Sequence, residues 1–543
     1  MENKPKTVSL TINDRVVQAP VGSTVFQAAA EAGIFIPHYC YHPDLSIAGV
    51  CRMCMVDIEK NPRLQISCNT PVAEGMVVKT NTEKVRASVK ATLELHLINH
   101  PIDCPICDKA GECKLQDFYR DYGLYQSRME YEKVHKPKVV DIGTIMLDAE
   151  RCILCSRCTR FTAEVTKTHE LGIFNRGDRS VIQTFDNGPL RNDYTGNLAD
   201  ICPVGALTAK DFRFQCRVWF LEKTSTVCGM CARGCNTVVS TNPSTQKLYR
   251  VEPRRNPEVN QSWICDTGRW NYHYVYQDNR LKVPQLFLDG QRREVTWHEA
   301  FSKLSEELVN DPKSVLVAIS TSATNEEVVD LVTHLQKMGV TQFTWLVEES
   351  VVDDRQPFDG ILKHRDLTSN ALGFQTMMDV LKVKWMKQSH AIGLLKKGGI
   401  RRLLLLGIEN ESLPGVDNLL KELPREVKVA AHATNLVGGL EQCEWLLPNT
   451  SSFEKSGTLI GAQGRLQKLN SAIPAQHTAR DLHCVAHGLS QSGDRVKVPE
   501  HRAQEIFESV IVEKVLLGEN PKWRRFHPLG INVSEKVVHA SSH

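Results

Sequence analysis

A two-residue alternation opens the chain. TVSLTI (7–12) and RVVQAP (15–20) flank the turn pair Asn13–Asp14, a pattern that predicts an antiparallel hairpin. A short helix follows, with Thr24 and Gln27 in capping-box spacing and Gly33 as its stop. The period then lengthens. Val85, Val89, Leu93 and Leu97 form an i, i+4 stripe that predicts a helix over 83–99, ended by Pro101. LYRVEPRR (248–255) reads as a strand. Past residue 265 the pattern becomes α/β. KSVLVAIS (313–320) is an apolar run of strand length, Thr324 and Glu327 cap a helix reaching about Gly339, and QFTWLVE (342–348) is the next strand. RRLLLLGIE (401–409) extends this crossover unit toward a doubly wound sheet. No Gly-x-Gly-x-x-Gly opens any of these helices and no Walker loop is present, so dinucleotide binding is not expected here.

At 543 residues the chain exceeds one core and predicts several domains. Hydrophobic residues make up 41 %, which predicts folded domains. A formal charge of +3 gives no support to nucleic-acid binding. The longest apolar runs, Val315–Ile319 and Leu403–Leu406, fall far short of a bilayer span. Met1 to Thr11 shows neither an apolar stretch after a basic region nor a twin-arginine pair, so a cytoplasmic chain with reduced thiols is expected.

That expectation gives the cysteines their meaning. Of 18 cysteines, fifteen fall into four spaced groups: Cys40, Cys51, Cys54, Cys68; Cys104, Cys107, Cys113; Cys152, Cys155, Cys158, Cys202; and Cys228, Cys231, Cys235, Cys265. His100 stands near the trio as a fourth ligand; His96, one helical turn earlier, competes with it. Four sets of four soft ligands suit iron–sulfur clusters, and a chain carrying them reads as an electron conduit. The first spacing, C-x10-C-x2-C-x13-C, is a variant of the plant-type 2Fe–2S theme, with structural zinc as an open alternative. The triplet Cys152, Cys155, Cys158 with the remote Cys202–Pro203 follows the bacterial ferredoxin rule for 4Fe–4S. The unequal gap in Cys228-x2-Cys231-x3-Cys235 suits a cubane better than a zinc ribbon. Arg151, Arg157 and Arg160 interleave with the third set, either offsetting cluster charge or lying solvated on the surface. Cys216, Cys443 and Cys484 read as ordinary buried thiols.

NHPIDCPICDKAGECKLQD (99–117), FNRGDRS (174–180) and NLADICPVGALT (197–208) resemble the large iron–sulfur subunit of respiratory complex I, and the cysteine spacings agree with that family at all four sites. The resemblance implies an α+β multidomain chain. It would begin with a β-grasp 2Fe–2S ferredoxin domain (1–80) and a 4Fe–4S domain with one histidine and three cysteine ligands (81–142). A ferredoxin-like 4Fe–4S domain (143–217) and a 4Fe–4S domain of molybdopterin-oxidoreductase type (218–277) would follow. A truncated α/β scaffold (278–485) and a C-terminal helix and tail (486–543) would complete it. The resemblance further implies one 2Fe–2S and three 4Fe–4S clusters, the fourth present in only some members and off the main path. Electrons would come from a flavoprotein NADH-binding subunit to the first site, then to Cys152, Cys155, Cys158, Cys202, then to His100, Cys104, Cys107, Cys113. A two-cluster ferredoxin-like subunit facing the quinone would receive them. Other peripheral-arm subunits would be partners, at the cytoplasmic face of the inner membrane and without a span in this chain. No catalytic residue is expected.

The C-terminal half resembles a degenerate molybdopterin-oxidoreductase domain. EWLLPNTSSFEKSGTLIGAQGRLQ (444–467) carries the likeness, but Thr267 stands where molybdenum enzymes have a linking lysine, and no molybdenum is expected. The tail from about 518 would be a docking arm or disordered. Alternatives from other classes are the same wiring module in a soluble NAD-linked hydrogenase or formate dehydrogenase complex, a molybdenum formate dehydrogenase, an iron-only hydrogenase, and a zinc-stapled interaction protein. Only Cys443 and Cys484 remain after the cluster region, too few for the iron-only hydrogenase.

Overall fold

Asn13 and Asp14 both take positive φ, 49° and 66°. That two-residue turn matches the strand twist and closes β1 (Thr7–Ile12) on β2 (Arg15–Pro20), with Ile12 opposite Arg15. In this computed structural model, which describes residues 6–124, 126–350, 356–409, 414–491, 498, 501–516 and 527–529, the hairpin begins the first of two units, Met1–Leu221 and Glu222–His543. The chain is an α+β multidomain protein.

In the first unit, α1 (Val25–Glu31) starts at a complete Thr24–Gln27 capping box and ends before Gly33, whose φ of +70° breaks the helix. It buries Val25, Phe26, Ala28 and Ala29 in a core shared with Leu10, Ile12, Cys54 and Cys68. β3 (Met55–Ile58), β4 (Gln65–Ile66) and β5 (Val77–Lys79) complete a sheet of order β2-β1-β5-β3-β4, with β5 parallel to β1, the β-grasp pattern. α2 (Glu83–Leu97) buries the stripe Val85, Val89, Leu93, and α3 (Lys114–Tyr122) packs beside it. β6 (Val140–Asp141), β7 (Ile145–Leu147), α4 (Arg157–Glu164), the β8–β9 hairpin (Leu171–Phe174, Val181–Thr184), α5 (Asn197–Ile201) and β10 (Leu207–Ala209) follow, with sheet order β10-β7-β6.

The second unit opens with an antiparallel sheet, β11 (Glu222–Val227), β12 (Asn236–Asn242), β13 (Lys247–Pro253), and the short α6 (Asp266–Trp270). Its centre is a seven-stranded sheet. β14 (Gln285–Leu288), β15 (Gln291–Glu294), β16 (Val315–Ser320), β17 (Gln342–Leu346), β18 (Arg402–Ile408), β19 (Lys428–Ala433) and β20 (Trp445–Pro448) lie in the order β15-β14-β20-β19-β18-β16-β17. The strands from β16 to β20 are mutually parallel, and β14 joins antiparallel. Alternate residues of β16 enter opposite cores: Val315, Val317 and Ile319 one, Leu316 and Ala318 the other. Both faces are covered, which is why the strand sequence is apolar throughout rather than alternating. α7 (Trp297–Asn310), α8 (Asn325–Lys337) and α9 (Ala371–Val380) cover one face; α10 (Gln388–Lys397) and α11 (Pro414–Lys421) cover the other. β21 (Gly457–Ile460) and β22 (Arg465–Leu469) precede α12 (Leu482–Gln491), α13 (Arg502–Ile506) and β23 (His527–Leu529). α8 begins at a complete Thr324–Glu327 capping box. Among the described residues no helix is long and apolar enough to cross a membrane. Apart from β23, the tail from about 518 lies outside the described residues.

Candidate metal centres

The first cysteine set comes from loops around the β-grasp sheet. Cys40 follows the stop of α1, Cys54 precedes β3 and Cys68 follows β4; all four thiols are buried. Arg52 adopts φ +56° and Gly49 +64°, bending the Cys51–Cys54 loop. The backbone N–H groups of Tyr39 and Cys40 point at Cys51 Sγ at 3.5 and 3.4 Å. The thiols titrate in pairs: a side-chain hydrogen bond from Cys51 holds Cys40 down and pushes Cys51 up, and Cys68 does the same for Cys54. Thiols this close share protons and offer thiolates to a cation.

His100, Cys104, Cys107 and Cys113 line one partly open cavity. Cys104 begins a single helical turn and Cys113 directly precedes α3. Burial lowers His100 to about 4, so its imidazole is neutral near pH 7, the form a metal ligand requires. Ile102 N–H meets His100 Nδ1 at 3.1 Å, and Lys133 Nζ donates to the His100 carbonyl. His96 is turned elsewhere. Its Nε2 lies 3.2 Å from the Cys51 carbonyl and its ring meets Tyr39 edge-on at 5.2 Å.

Cys152, Cys155, Cys158 and Cys202 line a second, partly open cavity. Leu154 and Ser156 take φ of +53° and +60°, a winding that turns residues at x2 spacing toward one point. Burial pushes Cys152 up to about 12 and Cys155 up to about 11 and raises Cys158 well above its ordinary value, and the neighbouring thiolates add to it. The fourth set leaves the ends of β11 and β12: Cys228 follows one, Cys235 precedes the other, and Cys228 N–H donates to the Cys235 carbonyl at 2.8 Å. Cys265 caps α6, its Sγ accepting from Gly268 N–H at 3.3 Å. Burial raises all four thiols; repulsion from neighbouring thiolates adds to it for Cys228, Cys235 and Cys265, and from Asp366 for Cys231.

Two glycines give the cavities their fit. A Cβ on Gly205 would stand 2.3 Å from Cys107 Sγ, and one on Gly268 would stand 3.1 Å from Cys228 Sγ. Converging buried and half-buried thiols with arginines close by, cradled at Gly205 and Gly268 where even a methyl group would intrude, suit an inorganic iron–sulfur core.

Within the first unit the sets adjoin. Cys202, Val204 and Ala206 line the cavity of the third set while Gly205 lines that of the second, so one segment walls both. Arg157 Nη1 donates to the Ile201 carbonyl at 3.0 Å and its Nη2 to the Tyr41 carbonyl. Arg160 Nη2 donates to the Cys40 carbonyl at 2.6 Å and its Nη1 to the Ser46 carbonyl. These arginines fasten the first ligand loop to the helix bearing Cys158. Arg151 binds Asp103 Oδ1 at 3.0 Å. Arg151 and Arg157 are each 6 % exposed, so neither is a solvated surface residue. Tyr39, fully buried between Phe118 and His96, also escaped the spacing argument. Cys443 is a buried thiol as expected. Cys216 and Cys484 are only half-buried, because Cys216 lies in the loop after β10 and Cys484 in the first turn of α12.

Four family models match the chain: "2Fe-2S iron-sulfur cluster binding domain" over 5–83, "NADH-ubiquinone oxidoreductase-G iron-sulfur binding region" over 90–128, "NADH-quinone oxidoreductase subunit 3, ferredoxin-like domain" over 143–208, and "NADH-ubiquinone oxidoreductase NDSU1/NuoG-like, 4Fe-4S domain" over 221–273. NADH-quinone oxidoreductase subunit 3 of Thermus thermophilus is 39 % identical over 336 residues, 55 % of this chain and 42 % of the relative. The NADH-ubiquinone oxidoreductase 75 kDa subunit of Reclinomonas americana is 36 % identical over 372 residues, 67 % of this chain and 53 % of the relative. The chain spans about half the length of the curated relatives it matches. A solved NAD+-reducing NiFe hydrogenase chain is 31 % identical, covers 39 % of this chain and 91 % of its own, and has a TM-score of 0.36.

Proposed function

We propose that this chain, which belongs over residues 5–273 to the family of large iron–sulfur subunits of NADH-quinone oxidoreductase, relays electrons from a flavin-bearing NADH-oxidising subunit toward a quinone-side ferredoxin-like subunit. Cys40, Cys51, Cys54 and Cys68 would hold a 2Fe–2S cluster. His100, Cys104, Cys107, Cys113, then Cys152, Cys155, Cys158, Cys202, then Cys228, Cys231, Cys235, Cys265 would hold 4Fe–4S clusters. Bound clusters supply one-electron chemistry without proton or group transfer, so no general acid, base or nucleophile is required of the chain.

The observation that carries this reading is the shared wall at 202–206, which places two cysteine sets back to back. The chain's own residues do the rest: thiols and one imidazole bind, the buried arginines orient the loops, and the apolar surroundings exclude water. The α/β part acts as a scaffold without molybdenum, and the chain works as a peripheral subunit at the cytoplasmic membrane face among the other peripheral-arm subunits.

Anaerobically purified protein should carry about 14 irons. Dithionite should bleach it directly, whereas NADH should do so only after the flavoprotein partner is added. Zinc at comparable stoichiometry, or molybdenum in the purified chain, would overturn the reading.

A further inference from the structure

α8 and α12 pack against each other on one face of the seven-stranded sheet. Each carries a pair of potential metal ligands one helical turn apart: Asp330 and His334 on α8, His483 and His487 on α12. Such i, i+4 pairs project from the same side of a helix, so two facing helices converge four side chains on one point. Ligand atoms of Asp330, His334 and His487 lie within 4.8 Å of one another. The imidazole centroids of His334 and His487 are 4.4 Å apart.

The carboxylate is held for the purpose. Asp330 is fully buried, and Arg502 Nε donates to its Oδ1 at 2.9 Å. His483 Nδ1 lies 2.8 Å from its Oδ2. His334 Nδ1 is 2.8 Å from the Asp330 carbonyl and 3.4 Å from Asp330 Oδ1, which fixes that ring beside the carboxylate. His487 is 7 % exposed, and its buried Nε2 makes no hydrogen bond although Asp330 Oδ2 lies 3.3 Å away. A buried ring nitrogen without a hydrogen bond is costly, and here it faces a carboxylate and a second imidazole.

We propose that α8 and α12 form a binding site for one zinc-class divalent cation. Asp330, His334 and His487 are its ligands, and His483 and Arg502 are the donors that orient the carboxylate. Two imidazoles with one carboxylate is a nitrogen–oxygen set suited to zinc, and metal bonds of about 2.1 Å would draw the three ligand atoms slightly closer than they now lie. Hydrogen-bonded partners behind ligands are the usual companions of such sites. The cation would staple two helices far apart in sequence, and Arg502 would tie the start of α13 to the same point. Arg502 also draws charge from the carboxylate, so the site should bind more weakly than a four-thiolate zinc site.

The test uses the full chain with its clusters loaded, equilibrated with zinc chloride and freed of excess metal. Metal analysis should find about one zinc per chain, and X-ray absorption at the zinc edge should show a first shell of nitrogen and oxygen only. His334→Gln and His487→Ala should each lose that zinc while iron content stays at the wild-type value. Zinc retained equally by both variants, no zinc in the unaltered chain, or sulfur in the zinc shell would each overturn the proposal. Should either variant lose iron through misfolding, the absorption spectrum of the unaltered chain decides alone.

Discussion

Replacing Gly205 by alanine adds one methyl group to the wall between two cysteine sets. Its Cβ would lie 2.3 Å from Cys107 Sγ, 3.3 Å from Lys109 Cβ and 3.5 Å from Arg151 Cδ. Non-bonded heavy atoms settle at about 3.5–4.0 Å, so the sulfur must retreat by more than about 1 Å. A free thiol can do this by turning about its Cα–Cβ bond, and the folding cost then stays within the overpacking range of about 1–3 kcal/mol. A ligating thiolate cannot turn without leaving its metal. Gly205→Ala should therefore leave the chain folded and yet remove one cluster.

The assay is iron content together with electron paramagnetic resonance of the dithionite-reduced chain. The variant should lack about four irons and one 4Fe–4S signal while keeping the 2Fe–2S signal. Gly393→Ala is the control. Nothing lies within 4 Å of that added Cβ, and the residue sits inside α10, so helix propensity should favour the change by up to about 1 kcal/mol and leave every cluster in place. Full iron and both signals in Gly205→Ala would refute the assignment of Cys107 as a ligand.

His100→Ala should lose or alter one 4Fe–4S resonance, whereas His96→Ala should leave it intact; the reverse result would move the ligand to His96. Lys455 and Glu327 form a buried pair at 3.2 Å, with side chains 2 % and 1 % exposed. Lys455→Met leaves the carboxylate without its counter-ion and should cost about 3–5 kcal/mol in urea unfolding; a loss under about 1 kcal/mol would sink the argument. Burial raises Glu326 to about 7, above its ordinary 4.5. Between those values the folded state keeps a proton that the unfolded state has released, so stability falls as pH rises through the window and levels off above it. The full drop is about 3 kcal/mol at most. Glu326→Gln, which still accepts from Thr458 N–H, should flatten that part of the profile in denaturant unfolding between pH 4.5 and pH 7.

Local chemistry was legible in the sequence, and long-range contact was not. The Asn13–Asp14 turn and both capping boxes form as the residues predict, because each depends on neighbours within four positions. The helix expected over 83–99 stops at Leu97, with Ile98 as its C-cap still in the right-handed helical region, short of Pro101. Spacing grouped the thiols because ligand loops are short. It singled out the arginines but not their partners, and carried no information about Gly205 or Tyr39, because the contacts run to distant positions: Arg157 meets Tyr41, and Arg160 meets Cys40. The antiparallel β14–β15 edge of the large sheet likewise gave no periodic signal. His483 and His487 were readable as an i, i+4 pair, but their counterpart on α8 lies some 150 residues earlier, and only packing brings the two together.

Those long contacts bear on how the centres are assembled. Divisions expected near residues 80 and 142 follow the ligand groups, yet the wall of one cavity crosses the second of them and the arginine contacts span both. The second set takes Gly205 from the segment that supplies Cys202 to the third. The loop carrying Cys40 is fastened by Arg157 and Arg160, and Ser46 by Glu164 at 2.8 Å. A segment carved out around the second ligand set would keep its thiols and lose Gly205 from its wall. Residues 1–221 form one compact unit in which the second set borrows its wall from the segment of the third, and the first ligand loop is fastened by arginines of the third. The same borrowing keeps neighbouring centres at fixed separation, which a relay of single electrons needs and independently tethered domains would not supply.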